Sequence, residues 1–205
     1  VVDNCSREPE RARLHALLDA VEEVTIVEVD SNLGFGGGAN VGLRRWLDDP
    51  AGSEWALLAP HDAHPMDGCI RQLMLAVEAE PMAGLACADV GDGHIPVLDA
   101  YFGGITMEGS PSPGWQPADY PHGTLMALRR SCLSEIGLFD ERFFAYCEEA
   151  ELALRATAAG WSCGLVRGAR VRNTTVGSSV AVVDYLQQRN TLYLVRLMSG
   201  RYHVF

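Results

Sequence analysis

In the run FFAYCEEAELALR, residues 143 to 155, the carboxylates Glu148, Glu149 and Glu151 stand directly behind Phe143, Phe144, Tyr146 and Cys147. A carboxylate at the end of an apolar loop is partly desolvated, which raises its pKa and suits it to take a proton from a substrate hydroxyl. The same residues also satisfy a purely structural role. Acidic groups in the first turn of a helix gain about 0.3–1 kcal/mol each from the backbone dipole, and Glu151 with Arg155 has i,i+4 spacing.

Three other stretches carry polar groups with chemical potential. In LLAPHDAHP, residues 57 to 65, a hydrophobic strand ends near Asp62, flanked by His61 and His64. Carboxylate and imidazole are both ligands for divalent ions, although Asp and Pro also punctuate ordinary turns. In DSNLGFGGGANVG, residues 30 to 42, Gly34, Gly36 and Ala39 fit the G-x-G-x-x-G/A dinucleotide pattern. Asp30 to Leu33 separate these glycines from the preceding strand, and no acidic residue follows at the ribose-reading distance, which argues against that fold. A flexible glycine loop or a close backbone approach to a ligand remains. The opening VVDNCS ends a strand on Asp3 and Asn4, able to hydrogen-bond a base or ribose or to form an Asx turn.

The elements that position these groups follow from periodicity. Short apolar runs at Val1 to Asp3, Val24 to Val29, Trp55 to Ala59 and Leu85 to Ala88 read as strands. Between them, Pro9 to Val21, Gly38 to Leu47 and Asp67 to Glu80 read as helices. That alternation predicts a parallel sheet with crossover helices. The Gly- and Pro-rich text beyond residue 90 predicts irregular connections with one strand at Ala100 to Phe102. A strand in GTLMALRR follows, then a short helix capped by Ser131 and a helix ending at Gly160. Strands at Cys163 to Val166 and Ala169 to Arg172 lead to a long helix from Val180 to Met198.

With 205 residues and 48% hydrophobic content, the chain can close a sizeable core. Its formal net charge of -11 has the wrong sign for a nucleic-acid partner. If the ligand carries phosphates, that balance calls for a divalent metal between them and the carboxylates. The six cysteines show no C-x-x-C pair and read as the reduced thiols of a cytoplasmic protein. No apolar run is long enough to span a bilayer.

Taken in order, VVDNCS, NLGFGGGANVG, DAHP, GLFDERFFAYCEEAELALR and QRN resemble the motifs of family 2 glycosyltransferases with the GT-A fold, particularly the bacterial rhamnosyltransferase-like branch. The resemblance spans nearly the whole chain. It implies a Rossmann-like mixed sheet flanked by helices in one GT-A domain. Residues 1–90 would bind the nucleotide-sugar donor, 91–179 would hold the acceptor and the catalytic groups, and 180–205 would form a C-terminal helix. It also implies an inverting transfer from a nucleoside-diphosphate sugar to a hydroxyl acceptor, whether glycan, lipid-linked or small molecule. Asp3, Ser6, Asn32, Gly36, Gly37, Gly38 and Asn40 would shape the nucleotide pocket. Asp62 would be the last aspartate of a metal-binding Asp-x-Asp for Mg or Mn, and Glu149 the catalytic base. Gly123, Phe144, Tyr146 and Glu148 would meet the acceptor.

The chain departs from the family pattern at several positions. Glu149 and Glu151 replace aspartates, each a methylene longer. Pro60 occupies the place of the first metal-motif aspartate, and Asn173 that of a late histidine, for which His64 could compensate as a metal ligand. The family's first strand and helix are absent before Val1, so either the sequence, which opens without Met, begins partway through a longer protein or the nucleotide pocket lacks a wall. The substitutions also permit a non-catalytic nucleotide-sugar or glycan-binding member of the same fold, and the glycine loop a nucleotide-dependent oxidoreductase. The terminal helix carries Tyr185, Leu192, Leu194, Val195 and Leu197 among Arg189 and Arg196. Packing on the sheet is its favoured role; a homodimer contact and peripheral binding at the inner face of the membrane are the others.

Overall fold

Seven consecutive residues, Ala83–Asp89, are buried, the mark of a strand covered on both faces. The computed structural model describes residues 1–173 and 180–200. The end of RNTTVGSS, residues 174–179, and the last five residues of the C-terminal segment therefore lie outside the described residues.

The chain begins with β1 (Val2–Asp3), α1 (Glu8–Leu18) and β2 (Val27–Glu28), in which the two strands pair in parallel. Next come α2 (Gly34–Asp48), β3 (Trp55–Leu58), β4 (Ala63–Pro65), α3 (Cys69–Ala79) and β5 (Ala83–Asp89). A hairpin of β6 (His94–Asp99) and β7 (Gly103–Glu108) precedes β8 (Gly114–Pro117), β9 (Met126–Arg129) and α4 (Arg130–Ile136). A 3-10 turn at Glu141–Phe143 leads into α5 (Glu148–Ala158), β10 (Ser162–Asn173) and α6 (Val180–Ser199).

The main sheet runs β3-β9-β5-β10-β4, with β8 also on β10. β5 and β10 are parallel, whereas β9 is antiparallel to both β3 and β5, so the sheet is mixed as the resemblance implied and not the parallel sheet that alternation alone predicts. α3 packs on one face through Cys69, Leu73 and Val77 against Ala86, Ala88 and Val171. α2, α4 and α5 cover the other through Leu43, Leu133, Leu152 and Ala156 against Leu85 and Leu128.

Three further expectations give way to local causes. The two strands foreseen between 163 and 172 are one, because β10 absorbs a register shift between Val166 and Arg170, where Gly168 has φ +93. That bulge lets β10 pair with β8 through Gly164–Arg167 and with β4 through Val171–Asn173. Residues 100–102, foreseen as a strand, form the turn of the β6–β7 hairpin, where Asp99 Oδ1 accepts from the Tyr101 and Phe102 amides. Ser131 does not cap α4; its hydroxyl donates to Glu54 Oε1 at 2.7 Å. No described helix is long and apolar enough to cross a membrane.

Candidate active site

The segment before α5 holds three non-glycine residues in the left-handed region, Phe144, Tyr146 and Cys147, at φ 67, 72 and 69. Each such residue costs on the order of 1 kcal/mol and persists only where its surroundings fix it. Three elements do so. From α2, the buried Asn40 donates to the Phe139 carbonyl and to Glu141 Oε1, both at 2.9 Å, and accepts from the Phe139 amide at 3.0 Å. At the start of α2, the Phe35 amide donates to the Phe144 carbonyl at 2.7 Å. From α6, the buried Asn190 amide donates to the carbonyls of Phe143, Ala145 and Tyr146 at 2.9, 2.7 and 2.7 Å. Arg189 adds a bond to the Phe143 carbonyl at 2.7 Å.

This bracing delivers Glu148 and Glu149 to a cavity of about 380 Å³, also lined by Phe35, Pro60, Asp62, Gly123, Tyr146 and Asn173. Asp62 and Glu149, distant in the chain, thus share one chamber. Glu149 is half-buried, and burial pushes its pKa up to about 7 although the Gly123 backbone acts to lower it. Glu148 is only 2% exposed and its Oε2 has no hydrogen-bond partner among the described residues. Burial first, and the charge of Glu149 second, raise its pKa well above the ordinary carboxylate value. A carboxyl near neutrality at the wall of a cavity can exchange a proton with a bound hydroxyl.

Glu149 and Tyr146 also line a second cavity of about 320 Å³, whose other walls include Gly104, Tyr120, Gln187 and Thr191. Glu149 and Tyr146 are therefore shared by the two chambers. Gln187 and Thr191, one turn apart on α6, were not singled out from sequence, and their i,i+4 spacing was the only signal they gave. Glu151 turns away from both cavities. It forms a two-pronged pair with Arg155 at 2.8 and 2.7 Å, the structural role its spacing foretold.

The remaining sequence candidates fall into a separate group. Asp3 is buried and accepts from the Ser6 amide and from Arg11 Nε, each at 3.0 Å; Ser6 hydrogen bonding and then Arg11 hold its pKa below the usual value. Asn32 Oδ1 accepts from the Gly34 amide at 2.9 Å and from Asn4 at 3.3 Å. Gly36, Gly37 and Gly38 lie inside α2 rather than in a loop. A Cβ on them would come 3.1 Å from Phe139, 2.7 Å from Leu33 and 2.9 Å from Asn4, respectively. Their small size thus seats α2 against its neighbours, and Asn40 braces the loop as described. Phe144, 37% exposed, lines neither cavity.

For a divalent ion, Asp62 is the carboxylate of this cavity that does not come from α5, and Asn173 lines the same space. His64 lines a different, adjoining cavity. Among the described residues no group of three His, Cys, Asp or Glu could hold a metal by itself. One carboxylate nevertheless fits the mode in which Mg or Mn is held by one or two carboxylates together with substrate phosphates.

No family model matches the chain. An N-acetylglucosaminyl-diphospho-decaprenol L-rhamnosyltransferase of Mycobacterium tuberculosis is 25% identical over 190 residues, covering 76% of this chain and 60% of that protein. A low-salt glycan biosynthesis hexosyltransferase of Haloferax volcanii is 28% identical over 148 residues, covering 66% of this chain and 47% of that protein. The chain thus spans roughly half to three-fifths of these relatives. Among solved structures, GalNAc-T7 with UDP, GalNAc and Mn2+ superposes with a TM-score of 0.75 at 13% identity, over 95% of this chain and 40% of that one. The mannosyltransferase PcManGT from Pyrobaculum calidifontis, in complex with GDP-Man and Mn2+, gives 0.66 at 16% identity, over 97% of this chain and 53% of that one. The fold is GT-A, and the sequence is similar to those of the rhamnosyltransferase and the hexosyltransferase above.

Proposed function

We propose that this GT-A chain is the catalytic part of an inverting glycosyltransferase, moving a sugar from a nucleoside-diphosphate sugar to a hydroxyl acceptor. The observation that carries the reading is the place of Glu149 in the lining of two cavities, one of which Asp62 also lines. The donor would occupy the Asp62 cavity, with its diphosphate toward Asp62 and Asn173. The acceptor would enter from the chamber of Tyr120, Gln187 and Thr191.

A divalent ion, when bound, would offset the charge that develops on the departing diphosphate. Asp62 would hold it, with Asn173 contributing at most a neutral oxygen. Glu149 takes the acceptor proton as the acceptor oxygen bonds to the anomeric carbon; the bond from that carbon to the diphosphate oxygen breaks, and its electron pair leaves with the nucleotide. Gly123 gives Glu149 room, since any side chain there would overlap Oε1. The left-handed loop holds Glu149 still, and near-attack geometry of this kind is where much of an enzyme's rate arises.

The relatives' names support a glycan or lipid-linked acceptor, and a cytoplasmic site of action fits the reduced cysteines. α6 turns Leu186, Leu194 and Val195 inward, in keeping with a packing role, and leaves Val182, Tyr185, Leu192 and Leu197 exposed for a membrane or a second copy. A non-catalytic nucleotide-sugar binder is the competing reading, favoured by the single carboxylate at the metal position. Screening uridine, thymidine and guanosine diphosphate sugars for hydrolysis and transfer, with Mn or Mg, separates them. Metal-dependent turnover of one donor is expected; donor binding without turnover under any condition would establish the binder.

A further inference from the structure

Asn190 spends its side-chain amide on three carbonyls, but its α6 neighbours Gln187 and Thr191 do not. The Gln187 amide makes no hydrogen bond among the described residues, and the Thr191 hydroxyl has only a 3.9 Å contact with Cys147 Sγ. Tyr120 and Tyr146 repeat the pattern. The Tyr120 hydroxyl reaches the Ile105 carbonyl at 3.5 Å, the outer limit of a hydrogen bond, and the Tyr146 phenol meets no partner among the described residues. All four residues line the cavity of about 320 Å³ that Glu149 also lines. An amide, an aliphatic hydroxyl and two phenols therefore share that space with the base, and the fold leaves their donors and acceptors unused. Each can both give and take a hydrogen bond, the complement of an alcohol group.

The charge of the chamber narrows what can enter it. Among the described residues no Lys, Arg or His lines it, and Glu149 is its only carboxylate. Arg189, on the same helix, is engaged instead by the Phe143 carbonyl and Asn190 Oδ1. Burial pushes the Tyr120 phenol up to about 12 and the Cys147 thiol up to about 11, so both are neutral at pH 7. An anionic unit brought here would meet the ionised base with no cation to offset it, in a setting where solvent screens poorly. An ammonium would pair with Glu149, hold its pKa down and weaken it as a base. An uncharged unit avoids both penalties.

We propose that Gln187 and Thr191 are specificity-determining residues that read the hydroxyl groups of the acceptor, in a chamber that selects an uncharged unit next to the reacting oxygen. The inference rests on the transferase reading and adds the filter that its acceptor must pass. Charged groups elsewhere on the acceptor lie outside the chamber and are not filtered. Gln187 and Thr191 sit on one side of α6 and Glu149 at the start of α5, so a ring held by the first two presents a hydroxyl to the third.

The test titrates methyl glycosides by NMR, with Mg and uridine, thymidine or guanosine diphosphate present. The neutral probes are the glycosides of glucose, galactose, mannose, rhamnose and N-acetylglucosamine; the charged ones are methyl glucuronide and methyl glucosaminide. At least one neutral glycoside should bind about tenfold or more tightly than either charged one, and Gln187→Leu and Thr191→Val should each weaken it by about fivefold. Gln187→Arg should raise the affinity for the glucuronide by about tenfold, a gain that a merely structural residue would not produce. No binding of any neutral glycoside, charged binding within a few-fold of the best neutral one, neutral binding untouched in both variants, or no gain in Gln187→Arg would overturn the proposal. Gln187 is exposed and Thr191→Val keeps the side-chain shape, so the variants should fold, which thermal unfolding checks. The titration needs no turnover. A protein that discriminates these glycosides through Gln187 yet transfers nothing therefore shows failure of the transferase reading separately.

Discussion

The Asn190 amide lies 2.7 Å from the Tyr146 carbonyl and binds two more carbonyls of the same left-handed loop, so α6 fixes the approach to Glu149 from outside the sheet. Asn190→Ala would remove this partner from the part-buried Ala145 and Tyr146 carbonyls, each at a cost of roughly 1–3 kcal/mol where water cannot reach, while Arg189 still serves the Phe143 carbonyl. The expected result is a loss of stability of about 2–4 kcal/mol in urea unfolding. A larger fractional loss of turnover than of donor affinity should accompany it. Unchanged stability would mean that the loop holds its own shape.

Gly34 and Gly123 should fail differently when replaced by alanine. Gly34 has φ +75, and its added Cβ would overlap the Phe144 backbone, which cannot swing aside. Gly34→Ala should cost about 2 kcal/mol or more of stability, from the left-handed conformation together with the displaced loop. At Gly123 the obstacle is Glu149 Oε1, the mobile end of a side chain. Gly123→Ala should leave the melting temperature nearly unchanged and reduce transfer by about a hundredfold through a misplaced base. Equal thermal shifts in the two variants would contradict this assignment.

Burial of Glu149 makes stability fall as pH rises. An unfolded glutamate loses its proton near pH 4.5, whereas the folded protein retains it to about 7, so over that interval the native state binds more protons. The stabilisation is complete below about pH 4.5 and gone above about 7, a change of at most about 3 kcal/mol. Glu149→Gln should flatten the decline measured by denaturant titration. Transfer by the wild type should rise over the same range, because the base must be ionised. A decline just as steep in the variant would move the titration to Glu148.

Much of this arrangement is legible in the sequence because motif order reports which loops meet. The helices near 38–47, 67–80 and 180–198 appear as Gly34–Asp48, Cys69–Ala79 and Val180–Ser199, since apolar periodicity and flanking Gly or Pro are local signals. The β6–β7 hairpin was hidden by glycine and proline at its ends. β4 was hidden because its pairing with Val171–Asn173 depends on the bulge at Gly168, a long-range effect. At the site, the residue types of Asp62 and Glu149 were readable. The work of Asn40 and Asn190 was not, since an amide that binds a remote carbonyl leaves no periodic trace. Placement also separated His64 from Asp62: β4 carries it into the neighbouring cavity.

Asp62 supplies the test of the metal. Removing divalent ions with EDTA should abolish donor turnover, and Mn or Mg should restore it. Asp62→Asn should lower metal-supported turnover by about a hundredfold or more and raise the metal concentration required, since one carboxylate carries most of the protein's hold on the ion. Full activity of Asp62→Asn at low metal would assign the ion elsewhere.

The most direct measurement is Glu149→Gln assayed for both donor binding and transfer, using whichever nucleotide sugar the wild type turns over. The amide keeps the shape of the cavity wall but cannot accept the proton. Donor affinity should stay within about threefold while transfer falls by about a thousandfold, the scale of a lost general base. Transfer retained within a few-fold of wild type would contradict the account, because the proton would then leave by a route that does not pass through Glu149.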